Sequence, residues 1–162
     1  MARVYISIGS NIEREQNIRS GMQLLEKKYG KLILSSVYDS EAVGFDGNDF
    51  YNLVAGFDTD DDLFDLALAL REIEDRHHRD RSGQRFSSRT LDIDLLLYDD
   101  LIVNERGVRI PRDEITSSAF VLGPLAEIDG ELMHPELNKT MFSLWQAYDK
   151  ASQPMQRIEF EW

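Results

Sequence analysis

The amino-acid sequence predicts an α+β domain in which helices pack on an antiparallel sheet. Three observations carry that prediction. Segments with strand-like alternation interleave with segments of helical periodicity in the order β-α-β, then β-α-β. A length of 162 residues suits one domain, large enough to bury a core without disulfides or a structural metal. No internal repeat, low-complexity tract or linker divides the chain, so residues 1–162 are read as one unit.

Val4, Ile6 and Ile8 alternate with Arg3, Tyr5 and Ser7, the pattern of a half-buried first strand. Ser10-Asn11-Ile12-Glu13 then has the S-x-x-E form of a capping box. Ile18, Met22, Leu25 and Tyr29 fall on one helical stripe, and Gly30 is a natural stop. A second strand runs through Leu32, Ile33, Leu34 and Val37, and Ser40 to Asp49 reads as a loop.

Phe50 to Phe57 forms the next strand. Asp60, Asp61 and Asp62 then sit where carboxylates favour the positive end of a helix dipole. Leu63, Leu66, Leu70 and Ile73 are the buried stripe of that helix, with His77 and His78 as exposed residues at its end. Arg76 to Ser88 is polar and irregular, and Thr90 to Leu97 resumes strand character. Asp99 to Ser118 is expected to hold a short strand and turns, ending in a long irregular connection. Met141, Leu144, Trp145 and Tyr148 mark a final helix, and Ile158, Phe160 and Trp162 alternate as a terminal strand. Both tryptophans are expected in the core, and His134 before Pro135 in a turn. The order describes a ferredoxin-like βαββαβ sandwich, helices on one face of an antiparallel sheet, with a C-terminal helix and strand added.

Composition narrows the function. There are no cysteines, which excludes disulfides, thiolate zinc sites and a thiol nucleophile. Met1 to Ile6 enters a strand pattern with no cationic–apolar leader, and no apolar run approaches the ~20 residues that span a bilayer. A cytoplasmic chain that binds no membrane is therefore expected. The formal net charge is −12, from 30 acidic and 18 basic residues, a field that repels nucleic acid over most of the surface. An RNA-binding module of the same fold class is disfavoured on that charge and on the lack of a basic–aromatic sheet pattern.

Basic residues do gather once. Arg76, Arg79, Arg81, Arg85 and Arg89 fall within fourteen residues, with Asp80 the only acid among them. Guanidinium forks suit bidentate contacts to phosphate oxygens, although a solvated basic loop has the same composition. The run leads into Asp92 and Asp94, two apart in a strand and therefore on one face, while Leu91, Ile93 and Leu95 point toward a core. Such a pair also fits two solvated acids. Next to a phosphate-seeking loop, it has the parts that phosphoryl transfer uses: carboxylates for Mg²⁺ and arginines for the charge on the moving group.

The segment Arg89-Thr90-Leu91-Asp92-Ile93-Asp94-Leu95-Leu96 resembles the signature of the 6-hydroxymethyl-7,8-dihydropterin pyrophosphokinase family. Tyr5-Ile6-Ser7-Ile8-Gly9-Ser10-Asn11 resembles its first strand and G-S-N turn, and Tyr38-Asp39-Ser40-Glu41-Ala42-Val43-Gly44 its pterin loop. Phe50-Tyr51-Asn52, Gly123-Pro124-Leu125-Ala126-Glu127-Ile128 and His134-Pro135 follow in the family's order. The resemblance implies transfer of the pyrophosphoryl group of ATP to the pterin hydroxymethyl oxygen, with AMP released, by a monomer acting on small molecules. It implies two Mg²⁺ on Asp92 and Asp94, and phosphate-contacting or loop-closing roles for Arg79, Arg81 and Arg89. It also implies ATP contacts at Glu74, Arg81, Phe86, Leu95 and Arg112, and pterin contacts at Ser40, Val43, Phe50, Asn52 and Phe120.

This chain departs from the family pattern at several of those positions. Arg112 stands where a His is usual, Ser118 where an Arg is frequent, Phe86 for Trp, Ser87 for Gly or Ala, and Ala42 for Pro. Arg112 and Ser118 leave a second reading open, a diverged relative that binds pterin or nucleotide without efficient transfer.

Overall fold

The computed structural model describes residues 1–40, 49–77 and 90–162. In chain order the strands are β1 (Ala2–Ser10), β2 (Ile33–Leu34), β3 (Val37–Ser40), β4 (Phe50–Thr59), β5 (Asp92–Tyr98), β6 (Val103–Glu105), β7 (Val108–Ile110) and β8 (Met155–Ile158). The helices are α1 (Arg14–Tyr29), α2 (Leu63–Arg76), α3 (Glu114–Ser117), α4 (Ala119–Asp129) and α5 (Met141–Ala147). The main sheet runs β5-β1-β4-β3-β8, with β2 also on β4, and every pairing in it is antiparallel. Leaving aside β8, this is the strand order of the ferredoxin-like sandwich the sequence predicts. β6 and β7 form a separate hairpin.

One face of the sheet carries α1 and α2. Ile18, Met22 and Leu25 from α1 and Leu63, Leu66, Leu70 and Ile73 from α2 pack on Val4, Ile6, Ile8, Leu53 and Phe57, all buried. The opposite face is covered as well, which the sequence reading did not include. Tyr5, Val54, Leu96 and Leu97 pack there with Val121, Leu122 and Leu125 of α4 and Met141 of α5. A register shift in β5 opposite Tyr5 and Ile6 serves both layers, turning Leu95 to the first core and Leu96 and Leu97 to the second.

α4 occupies a stretch between Ser118 and Met141 for which the sequence reading gave no element. Its sequence, AFVLGPLAEID, is apolar almost all round, so it shows no helical stripe, and Pro124 within it reads as a break. The capping box is also absent. Ser10 is fully buried, and its Oγ lies 2.6 Å from Thr90 O and 3.0 Å from Ile12 O, tethering the approach to β5 instead of capping α1. α1 begins after Glu13, a left-handed residue (φ 42°) with no side-chain cap.

The strand expected over residues 32–37 is divided at Ser35 and Ser36. Ser35 Oγ accepts the Val54 N–H, while the backbone N–H and hydroxyl of Ser36 donate to Glu127 of α4. Asp62 does cap α2, accepting from Phe64 N and Asp65 N at 2.9 Å each. His77 is buried, contrary to the exposed position expected, because its ring nitrogens lie 2.7 Å from Ile73 O and 2.9 Å from Ser20 Oγ, linking α2 to α1. His78 lies outside the described residues. His134 does hold a turn, its Nδ1 accepting from Glu136 N and Leu137 N. Trp145 packs on the second core, while Trp162 is 51% exposed because β8 ends at Ile158.

Candidate functional site

The sheet register brings the candidate residues together. Gly9 of β1 pairs with Asn52 on one side and Asp92 on the other, and Tyr38 of β3 lies beyond Asn52 in the same row. Residues in one row of an antiparallel sheet share a face. Here it is the face of α4 and α5, since Ile8 next to Gly9 belongs to the opposite core. Two strand spacings separate Asn52 from Asp92, about 10 Å between backbones. Asp94, two residues along β5 and opposite Ser7, shares that face.

Gly9 keeps the row open. A Cβ there would lie 2.7 Å from Asn52 Oδ1 and 3.6 Å from Phe50 Cδ1, so the missing side chain is the space the Asn52 amide occupies. Asn52 is buried, and its Nδ2 donates to Ser40 Oγ at 2.7 Å, which fixes the amide's orientation from β3. Phe120 stands in the first turn of α4, partly buried against the second core. Ser40, Phe50, Asn52 and Phe120 are thus carried by β3, β4 and α4, around one end of the sheet.

On the other side of Asp92 and Asp94 a cleft of 420 Å³ opens between α2, β5 and the β6–β7 hairpin. Leu70, Leu95 and Ile110 give it apolar walls, and Arg71, Arg106, Arg109 and Arg112 line it together with Asp94 and Glu74. Arg106 stands in a left-handed turn conformation (φ 54°) beside Gly107 (φ 78°), with its guanidinium 4.1 Å from the centre of the Phe64 ring. Glu74 is 5% exposed, and its Oε2 accepts the Ile93 N–H at 2.8 Å. It therefore ties α2 to β5 as well as lining the cleft. Arg112 Nη2 lies 3.4 Å from Asp94 Oδ1, and its Nε lies 2.7 Å from Glu114 Oε2 of α3. Its backbone N–H donates to Leu96 O, which docks this segment on β5.

Residues 5–130 match the family model of 7,8-dihydro-6-hydroxymethylpterin-pyrophosphokinase (HPPK). The chain belongs to the HPPK family. It is 30% identical over 143 residues to the 2-amino-4-hydroxy-6-hydroxymethyldihydropteridine pyrophosphokinase of Aquifex aeolicus, covering 87% of this chain and 89% of that one. The protein of the same description from Pseudomonas aeruginosa is 33% identical, over 83% of this chain and 85% of its own length. Among solved structures, the wild-type HPPK-DHPS of Plasmodium falciparum aligns over 91% of this chain with a TM-score of 0.72 at 16% identity. Another HPPK-DHPS, in complex with substrates, aligns over 93% with a TM-score of 0.74 at 13% identity. This chain spans 44% of the length of each of those two, and the likeness establishes the fold they share.

Within this HPPK-family chain, Asp92, Asp94, Glu74, Leu95 and Arg112 gather about the cleft and its approach, and Ser40, Phe50, Asn52 and Phe120 on the other side of β1. Arg79, Arg81, Phe86, Arg89 and Val43 lie outside the described residues. The sequence reading missed Gly9, Arg71, Arg106, Arg109 and Glu114. Strand alternation in Val103–Glu105 and Val108–Ile110 around Arg106-Gly107 was the available signal for the hairpin that carries two of these arginines. Nothing local marks Glu114, because its part depends on where Arg112 reaches.

Proposed function

We propose that this chain transfers the pyrophosphoryl group of ATP to the hydroxymethyl oxygen of 6-hydroxymethyl-7,8-dihydropterin, releasing AMP. The observation that carries the reading is the row Asn52–Gly9–Asp92, which sets an oriented amide and a carboxylate on one face of the sheet, on strands about 10 Å apart. That spacing leaves room for a flat ring at Asn52 with its hydroxymethyl arm directed toward phosphates near Asp92.

The residues divide the work. Asn52, held by Ser40, reads the hydrogen-bonding edge of the pterin; Phe120, Phe50 and Val43 provide its apolar walls. The cleft beside Leu95 receives the nucleoside, with Glu74 and Phe86 among its contacts. Arg112, Arg79, Arg81 and Arg89 meet phosphate oxygens. The hydroxymethyl oxygen attacks the β-phosphorus and loses its proton, and the α–β bridging oxygen leaves with AMP. Positioning and charge compensation do most of the catalysis in such a transfer.

Asp92 and Asp94 would hold two magnesium ions. The donor set fits: both groups are carboxylates on one rigid strand. Magnesium is held in this way, by one or two carboxylates with water and substrate phosphates filling its octahedron. When bound there, it would supply positive charge against the phosphate oxygens.

The chain is proposed to work as a cytoplasmic monomer on small molecules. Among the described residues no helix is long and apolar enough to cross a membrane. Binding without transfer is set aside, because relatives about 30% identical along most of the chain are named as pyrophosphokinases.

AMP release from ATP, magnesium and the pterin tests the function. Wild type should release AMP only when the pterin is present, and Asp92→Ala should lower the rate by about a hundredfold or more while the fold survives. Pterin-independent AMP, or an undiminished rate in the variant, would overturn the assignment.

A further inference from the structure

Residues Tyr148 to Met155 lie outside the segment 5–130 matched to the HPPK family, yet they border the candidate pterin slot on two sides. α3 ends and α4 begins at a single extended residue, Ser118 (φ −129°, ψ 119°). The free carbonyls of one helix end and the free N–H groups of the next helix start therefore meet at one joint. Ser118 gives α4 no side-chain cap. Gln153 satisfies both sides instead: its Oε1 accepts the Ala119 N–H at 2.8 Å, and its Nε2 donates to Ser117 O at 3.0 Å. The Tyr148 hydroxyl donates to the same carbonyl, also at 3.0 Å.

Two residues further on, Met155 pairs with Ser40 in the β8–β3 ladder. Its side chain also closes on α4, since a Cβ on Gly123 would lie 2.6 Å from Met155 Cε. One short segment thus joins two parts of the slot. It pairs with β3 at Ser40, the residue that orients Asn52, and it fastens the turn of α4 that carries Phe120.

We propose that Gln153 is a positioning residue for the pterin half of the reaction, fastening the α3–α4 joint and so setting the distance between Phe120 and Asn52. The inference rests on the pyrophosphokinase reading above. A side-chain amide suits the joint because it offers an acceptor and a donor together. Gln153→Glu keeps the acceptor for Ala119 N and loses the donor to Ser117 O, whereas Gln153→Ala loses both.

Steady-state kinetics of the full chain, with equilibrium binding of 6-hydroxymethyl-7,8-dihydropterin and melting temperatures alongside, test the proposal. Gln153→Ala should raise KM and Kd for the pterin about fivefold to tenfold, the effect of losing hydrogen bonds of ordinary net strength. KM for ATP should stay within about twofold, and Gln153→Glu should fall between wild type and Gln153→Ala. A purely structural role would lower the folded fraction, and with it apparent kcat, at unchanged pterin KM. That result would overturn the proposal, as would a parallel rise in both KM values. A wild type that neither binds nor turns over the pterin would overturn the function and this inference together. Normal wild-type behaviour with unaltered pterin affinity in Gln153→Ala would overturn the positioning role alone.

Discussion

At Arg112 a guanidinium stands between two carboxylates, 3.4 Å from Asp94 Oδ1 and 2.7 Å from Glu114 Oε2. The arrangement sets a positive charge beside one of the two groups proposed to hold magnesium. Partly exposed pairs of this kind contribute ~0.5–1 kcal/mol. Arg112→Gln should therefore tighten binding of magnesium alone by about threefold to fivefold, read by titration calorimetry, and raise KM for ATP because the phosphate contact proposed for it is lost. Weaker magnesium binding in that variant would mean that the guanidinium orients Asp94 more than it competes with the cation. That Asp92 and Asp94 share a face was legible in the sequence, because strand alternation puts i and i+2 on one side whatever the tertiary fold. Gly9 and Glu114 were not. The space above Gly9 matters only because Asn52 of another strand leans into it, and Glu114 matters only through the reach of Arg112.

The place of α4 depends on several polar contacts to the sheet. Glu127 accepts from Tyr38 OH at 2.7 Å and from Ser36 N and Oγ at 3.0 and 2.7 Å, and Asp129 accepts from Tyr5 OH. Partial burial pulls the Glu127 carboxyl upward, but the hydrogen bonds from Tyr38 and Ser36 outweigh it and leave the group below its ordinary value. A carboxyl depressed in the folded state contributes stability above its unfolded value, near 4.5, and that contribution fades as pH falls through the lower folded value. The tyrosines act in the opposite range. Burial, with the neighbouring carboxylates adding to it, pushes both Tyr5 and Tyr38 up to about 12. Their contribution is complete below pH 10 and is lost as pH rises toward that value. Glu127→Ala should lower stability by about 1–3 kcal/mol at pH 7 in urea melts and flatten the acid limb of the pH–stability curve, leaving the Tyr5 part of the alkaline limb. An acid limb identical to wild type would show that other carboxylates carry it. α1 and α2 were readable because each has one buried stripe and one solvated face. α4 was not, because a helix covered on most sides has no stripe to read, and Gly123-Pro124 imitates a break.

Across the whole molecule, the order β-α-β-β-α-β was recoverable from periodicity, since each strand and helix buries one face against a shared core. The second layer of α3, α4 and α5 was not, because it depends on which apolar segments meet on the far side of the sheet. The pterin and nucleotide halves proposed for the site draw on β1, β3, β4, β5, α2, α4 and the β6–β7 hairpin, so ligands occupying both would bridge elements that sequence places far apart. Binding confined to the folded state stabilises by mass action, about 2.7 kcal/mol at a ligand concentration one hundred times Kd. For a chain of 162 residues this corresponds to a rise in Tm of about 5–10 °C. A non-hydrolysable ATP analogue with magnesium should produce that shift in a thermal melt, and chelating the magnesium should remove most of it, because the formal charge of −12 opposes the bare polyphosphate. Asp94→Asn should respond less to magnesium than wild type does. A shift of full size that survives chelation would place the affinity in the arginines of the cleft and take the metal out of nucleotide binding.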